Sequence, residues 1–189
     1  MGMNMNFVNA RNNINNNVRP SNYNYNSAYS RFLQKLQADI SYTNGQFASL
    51  KKANSKQVFL TALRSSDNRI KAAACLMAFD YDFEYIEDLV DAVGSSDMIL
   101  NQSARLTLVK LSNKILCDDL QKKIDESKKN DSNKKNGKST PTTVVNRSQH
   151  YVDFGPNVYY MDNQTLNTTQ NMWKIWFDEK TRNIKKSGS

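Results

Sequence analysis

Apolar side chains recur at helical spacing through the middle of the chain, and the pattern thins toward both ends. Tyr29, Phe32, Leu33, Leu36 and Ile40 follow i, i+3, i+4, i+7 spacing and share one helix face. Asn44-Gly45 reads as a break, after which Phe47, Leu50 and Ala53 begin a second short helix, so the two form an N-terminal capping hairpin. Val58, Phe59, Ala62 and Leu63 mark a helix ending near Ser65. Ile70, Ala73, Ala74 and Met77 mark the next, from about Asn68 to Phe79. Tyr85, Ile86, Leu89, Val90 and Val93 predict a helix from Phe83 to Val93. Leu100, Ala104, Leu108 and Leu111 predict another, which runs on through Ile115, Leu116, Leu120 and Ile124. The last predicted helix runs from Thr168 to Lys180, with Trp173, Trp176 and Phe177 on one face.

Two of these segments are the same segment. Phe59 to Phe79 lies over Leu89 to Val109 at a shift of 30 residues without a gap, with Ser65-Ser66-Asp67 over Ser95-Ser96-Asp97 and Ala74 over Ala104. A fixed period is the signature of stacked helical units. Asp67 and Asp97 each stand where a carboxylate accepts from the orphaned N–H groups of a first helical turn. Ala74 and Ala104 stand where two helices approach closely, and a bulky side chain there would overpack the contact.

Helix, short Ser/Asp turn, then a helix opening Ile70-Lys71-x-x-Ala74 or Leu100-Asn101-x-x-Ala104 resembles the short HEAT-like repeat of the phycobilisome-lyase type. Lys71 replaces that family's usual Arg, and Asn101 departs further. The Trp173-x-x-Trp176 segment, with Asp153-Phe154-Gly155 before it, is similar to the ending of bacterial proteins with such repeats. The resemblance implies an all-α fold, a short HEAT-like solenoid of antiparallel helix pairs, and no particular activity. Trp173 and Trp176 are read as capping the end of the solenoid, in preference to an exposed anchor for a partner.

Around this core the expected organisation is a disordered Asn-rich tail at 1–27, the helical domain at 28–126, a flexible basic linker at 127–143, and a C-terminal segment at 144–186. The tail holds eleven Asn and little to bury. Lysines and polar residues dominate the linker. Val144-Val145, Tyr151 to Phe154 and Val158 to Tyr160 are β-prone and separated by turn residues, so a small β-hairpin is a further expectation before the last helix.

The net charge of +8 does not belong to the core: residues 51–120 carry nine Lys/Arg against ten Asp/Glu, and the excess sits on the flanks. Flanking charge more often solvates a tail than builds a nucleic-acid groove. No catalytic constellation is supported. His150 is the only histidine, Cys75 and Cys117 are far apart in sequence, and no glycine-rich phosphate loop occurs. The acids Asp80, Asp82, Glu84, Glu87, Asp88 and Asp91 alternate with core positions and read as a solvated face. Neither a metal site nor a cofactor is expected, and no run approaches the ~18 apolar residues of a membrane span. A cytoplasmic location is favoured because no signal-peptide apolar stretch is seen, with export left open if the N-terminus was trimmed.

The function expected is therefore a non-catalytic scaffold that binds another protein or serves assembly. Its contact residues are expected on exposed flanks of the second helices: Arg69, Lys71, Asn101 and Arg105. The alternative is nucleic-acid backbone binding through the same basic helices and the flanking lysines.

Overall fold

The computed structural model describes residues 25–132, 150–156 and 162–187, and all regular structure among them is helical. By its internal contacts the chain divides into two units, residues 1–37 and 38–189. Of the first, only Tyr25 to Gln37 lies among the described residues. It is helical, and Tyr29, Phe32 and Leu33 on it are exposed.

Helix α1 spans Tyr25–Ala53, α2 Lys56–Leu63, α3 Asn68–Met77, α4 Ile86–Val93, α5 Met98–Ser132 and α6 Asn163–Ser187; a 3-10 turn, Ala78–Tyr81, follows α3. The bounds of α2 and α4 lie 30 residues apart at both ends, as do the starts of α3 and α5. The turns between them share the same serine bond and place the same capping acid. Ser65 Oγ accepts from the Asp67 N–H and Ser95 Oγ from the Asp97 N–H, both at 3.1 Å. Asp67 Oδ1 then accepts from Arg69 N–H at 2.9 Å, and Asp97 Oδ1 from Leu100 N–H at 3.0 Å, so each acid caps the helix it precedes.

α2 packs on α3, α4 on α5, and the two second helices, α3 and α5, pack on each other. Phe59, Leu89, Leu108 and Leu111 are fully buried there, and burying such side chains is worth about 1.5–3 kcal/mol each. Ala74 and Ala104 are both completely buried. Thr107 Oγ1 donates to Cys75 O at 2.9 Å, tying α5 to the backbone of α3. Phe59 stacks on Tyr81 at 4.4 Å and meets the edge of Tyr85 at 5.0 Å, joining α2 to the segment that leads into α4. α6 packs on α4. There Gln170 donates to Asp91 at 3.2 Å, and its side chain crosses Gly94 so closely that a Cβ on that glycine would stand 2.7 Å from Gln170 Oε1.

Several expected boundaries are corrected. Asn44-Gly45 does not break α1. Ile40, Thr43 and Leu50 are buried on either side of it, and that burial outweighs the cost of about 1 kcal/mol for a mid-helix glycine. The helix ends instead at Asn54, whose φ of 44° is the left-handed ending that asparagine tolerates. The helical segment also takes in residues 25–27, which were assigned to the tail; residues 1–24 lie outside the described residues. α4 begins at Ile86, so Phe83 and Tyr85 precede it. α5 continues past the expected linker boundary at 127 to Ser132, and α6 is longer than expected at both ends. Asp162 starts α6, accepting from Thr165 N–H at 2.9 Å and Thr165 Oγ1 at 2.7 Å. No strand occurs among the described residues; residues 150–156 are irregular, and the remaining hairpin and linker positions, 133–149 and 157–161, lie outside them.

Candidate functional site

The four residues expected to contact a partner fall into two places. On α3, Arg69 donates from Nε and Nη2 to the two oxygens of Asp67 (3.1 and 2.8 Å) and reaches Asp39 of α1 at 3.5 Å. Its guanidinium lies 4.4 Å from the centroid of the Tyr42 ring. The Arg69 side chain and the N–H it caps hold the Asp67 carboxyl down at about 2, and the carboxylate in turn raises Arg69 above its ordinary value. Lys71 is half-buried one step further along.

On α5 the expectation fails in an informative way. Asn101 does not stand on an exposed flank: it is fully buried. Its amide donates to Val93 O at the end of α4, and its oxygen accepts from Gln102 Nε2 at 2.8 Å. A buried polar side chain is tolerated when its polar groups find partners, and here the Val93 carbonyl and the Gln102 side chain supply them.

Arg105 is turned to the same purpose. It clasps Asp153 through two parallel bonds, Nε to Oδ1 at 2.9 Å and Nη2 to Oδ2 at 2.7 Å. Its Nη1 reaches Gln102 Oε1 at 3.0 Å and Pro156 O at 3.1 Å. Burial pushes the Asp153 carboxyl up, but Arg105 and the Gly155 N–H together draw it below its ordinary value.

Together these bonds lay residues 150–156 along α5 as a strap. Gln102 Nε2 also donates to Pro156 O (3.1 Å), Ser112 Oγ accepts from Val152 N–H (2.9 Å), and Asn113 donates to His150 O. From α6, Trp173 Nε1 donates to Gly155 O at 3.1 Å while its ring meets the edge of Phe154 at 5.0 Å. Gly155 takes φ 85°, where a side chain would be strained. Asp153, Phe154 and Gly155 thus each hold one fastening of the strap. Trp173 and Phe177 are buried beneath it and Trp176 is half-buried beside them.

Sequence reasoning missed the strap because its partners on α5 lie 37 to 54 residues away. The one local signal was a row of polar residues, Asn101, Gln102, Arg105 and Ser112, at inward helical spacing on α5. The acids after α3 were also more than a solvated face. Asp80 pairs with Lys51 of α1, Asp82 with Lys114 of α5, and Glu84 with Lys56 of α2 at 2.6 Å.

As chemistry the site offers recognition of main chain and charge. Burial pushes the Cys75 thiol up to about 12, far from a neutral-pH nucleophile. Among the described residues no group of three or more His, Cys, Asp or Glu could hold a metal ion, and no helix is long and apolar enough to cross a membrane. Compared with protein-family models, with curated proteins and with solved structures, the chain matches none.

Proposed function

We propose that the chain is a non-catalytic protein-interaction module, a short HEAT-like α-solenoid whose second helices carry the contact surface. The observation that supports this most is the agreement between its two helix pairs, which share their spacing of 30 residues and the same Ser/Asp turn bonds. Helix pairs stacked in that way bury one core and leave an extended face for a partner. Asn101 is buried against the end of α4 and Arg105 is spent on the strap, so the contact surface centres on Arg69 and Lys71 of α3. Arg69 is already held by Asp67 and Tyr42, so little side-chain freedom remains to be lost on binding.

Affinity purification of the full chain with mass spectrometry tests the reading when run beside an Arg69→Glu, Lys71→Glu variant. The variant keeps the helical circular dichroism of the wild type and loses the captured protein; capture that survives the double change overturns the assignment. Nucleic-acid binding is the weaker reading, because Lys51, Lys56, Arg69, Arg105 and Lys114 are each paired with an acid of this chain. A duplex DNA titration at two salt concentrations separates the two: tight binding with a steep salt slope would replace the protein-interaction reading.

A further inference from the structure

We propose that the groove between α5 and α6 is a peptide-binding site, filled in cis by residues 150–156, which takes in their place an extended partner peptide carrying Asp-Phe-Gly-Pro. The site is separate from the α3 surface. α5 and α6 both pack on α4, and the strap lies between them, bonded to each.

Most of the fastenings read main chain. Gln102 and Arg105 both donate to Pro156 O at 3.1 Å, and Ser112 Oγ accepts from Val152 N–H at 2.9 Å. Asn113 donates to His150 O, and Trp173 donates to Gly155 O at 3.1 Å. Any peptide presents carbonyls and N–H groups, so these bonds fix an extended path and supply affinity without choosing a sequence.

Three side-chain positions do choose. Arg105 grips Asp153 through two parallel bonds, a geometry that fits a carboxylate. The Trp173 ring meets the edge of Phe154 at 5.0 Å, which favours an aromatic. The next residue takes φ 85°, which selects glycine. Pro156 follows, fully buried. The groove therefore reads an acid, an aromatic and a glycine in succession.

The occupant is held differently from the walls. Tyr151 and Asp153 are exposed, Val152, Phe154 and Gly155 are half-buried, and Pro156 alone of residues 150–156 is buried. Hydrogen bonds and one ion pair hold the strap, and on release water offers the same bonds. A segment that buries so little apolar surface opens well before helices that bury Phe59, Leu89 and Leu108. The walls stay in place, because α5 is packed on α3 and α4, and α6 on α4. A released strap remains tethered through residues 133–149 and 157–161. It therefore competes with an incoming peptide at an effective concentration on the order of millimolar, and sets the threshold a partner must exceed.

Fluorescence anisotropy with a labelled Ala-Ala-Asp-Phe-Gly-Pro-Ala peptide tests the site on the full chain. Asp153→Ala unfastens the strap from Arg105 and should bind the peptide at least ~tenfold more tightly than the wild type, because the tethered competitor is weakened. Adding Arg105→Ala removes that gain, as does replacing the peptide's own Asp by Ala. Arg69→Glu with Lys71→Glu leaves peptide binding unchanged, which separates this site from the α3 surface. A folded Asp153→Ala chain that ignores millimolar peptide overturns the proposal, and so does binding indifferent to the peptide's acid. If Asp153→Ala fails to fold, amide NMR of the isotope-labelled wild type decides. Millimolar peptide should then shift the Val152 and Gly155 signals, and unmoved signals overturn the proposal. A particle of twice the 21.6 kDa of one chain, returned to monomer by Asp153→Ala, would assign the groove to a second copy and overturn it as well.

Discussion

α3 and α5 occupy the same place in two matching helix pairs, yet their interiors are made of different material. From Ala72 to Ala78 α3 buries only small or apolar side chains, while the equivalent stretch of α5, residues 102–108, buries Gln102, Ser103 and Thr107, with Asn101 buried just before it. α3 is enclosed by helices, which bring apolar side chains and no unpaired backbone. α5 is covered in part by residues 150–156, whose irregular backbone leaves N–H and C=O groups that require partners. A helix can accept such a cover only if its inward row can hydrogen-bond. Gln102 meets that need at the strap, while Asn101 bonds Val93 O of α4 and Thr107 bonds Cys75 O of α3. The difference teaches that the polar row of α5 serves carbonyls of several neighbours, the strap among them; the two arginines differ as well. Arg69 holds its acid at a more open site, and Arg105 holds Asp153 at a more enclosed one, with side-chain exposures of 41% and 27%.

The hardest test of the contrast is Trp173→Ala. It removes the fully buried ring that supports Phe154 and bonds Gly155 O, and a loss of about 3–5 kcal/mol is expected in urea unfolding. Ala74→Leu and Ala104→Leu should cost about 1–3 kcal/mol each, because both sites are closed to any added volume. Clearly unequal losses would show that the two pairs do not share their close contact. Arg105→Ala comes next, at about 1.5–3 kcal/mol for a lost bond to a charged group. Arg69→Ala should cost less than Arg105→Ala, as a solvent-screened surface pair. Equal midpoint shifts would erase the distinction between the two arginines.

Smaller still is the acid cap. The folded Asp67 carboxyl sits below its unfolded value, so its contribution is complete above pH ~4 and is lost as pH falls toward about 2. Asp67→Asn should cost about 1 kcal/mol at neutral pH and flatten that part of the acid-unfolding curve. The smallest effect has the opposite sign. Among the described residues Thr43 Oγ1 is buried with no hydrogen-bond partner, where the register places Ala73 and Ser103 on the second helices. Thr43→Val removes the unsatisfied hydroxyl and should raise the melting midpoint, by about 1 kcal/mol of stability.

What could be read from the sequence was local. The capping acids, the close alanines and the inward face of Trp173 depend on residues within a turn or two of one another, and periodicity reports those directly. The continuity of α1 was hidden because Asn44-Gly45 carries a real local bias toward a turn, overridden by burial of Ile40, Thr43 and Leu50 against other elements. Asn101 was misplaced because its register equivalent, Lys71, is only half-buried, and because periodicity does not report that its amide turns back to Val93 O at the end of α4.

The strap also orders events in time. Its bonds to α5 span up to 54 residues, and Gln170 meets Asp91 across 79. Contacts this distant in sequence must close large loops and form late. On a ribosome, α2 to α5 would be complete while the strap and α6 were still unmade, leaving Gln102, Arg105 and Ser112 facing water. A hydrogen-bonding row suits that interval better than an apolar one, because it stays solvated and unsticky until its own cover emerges.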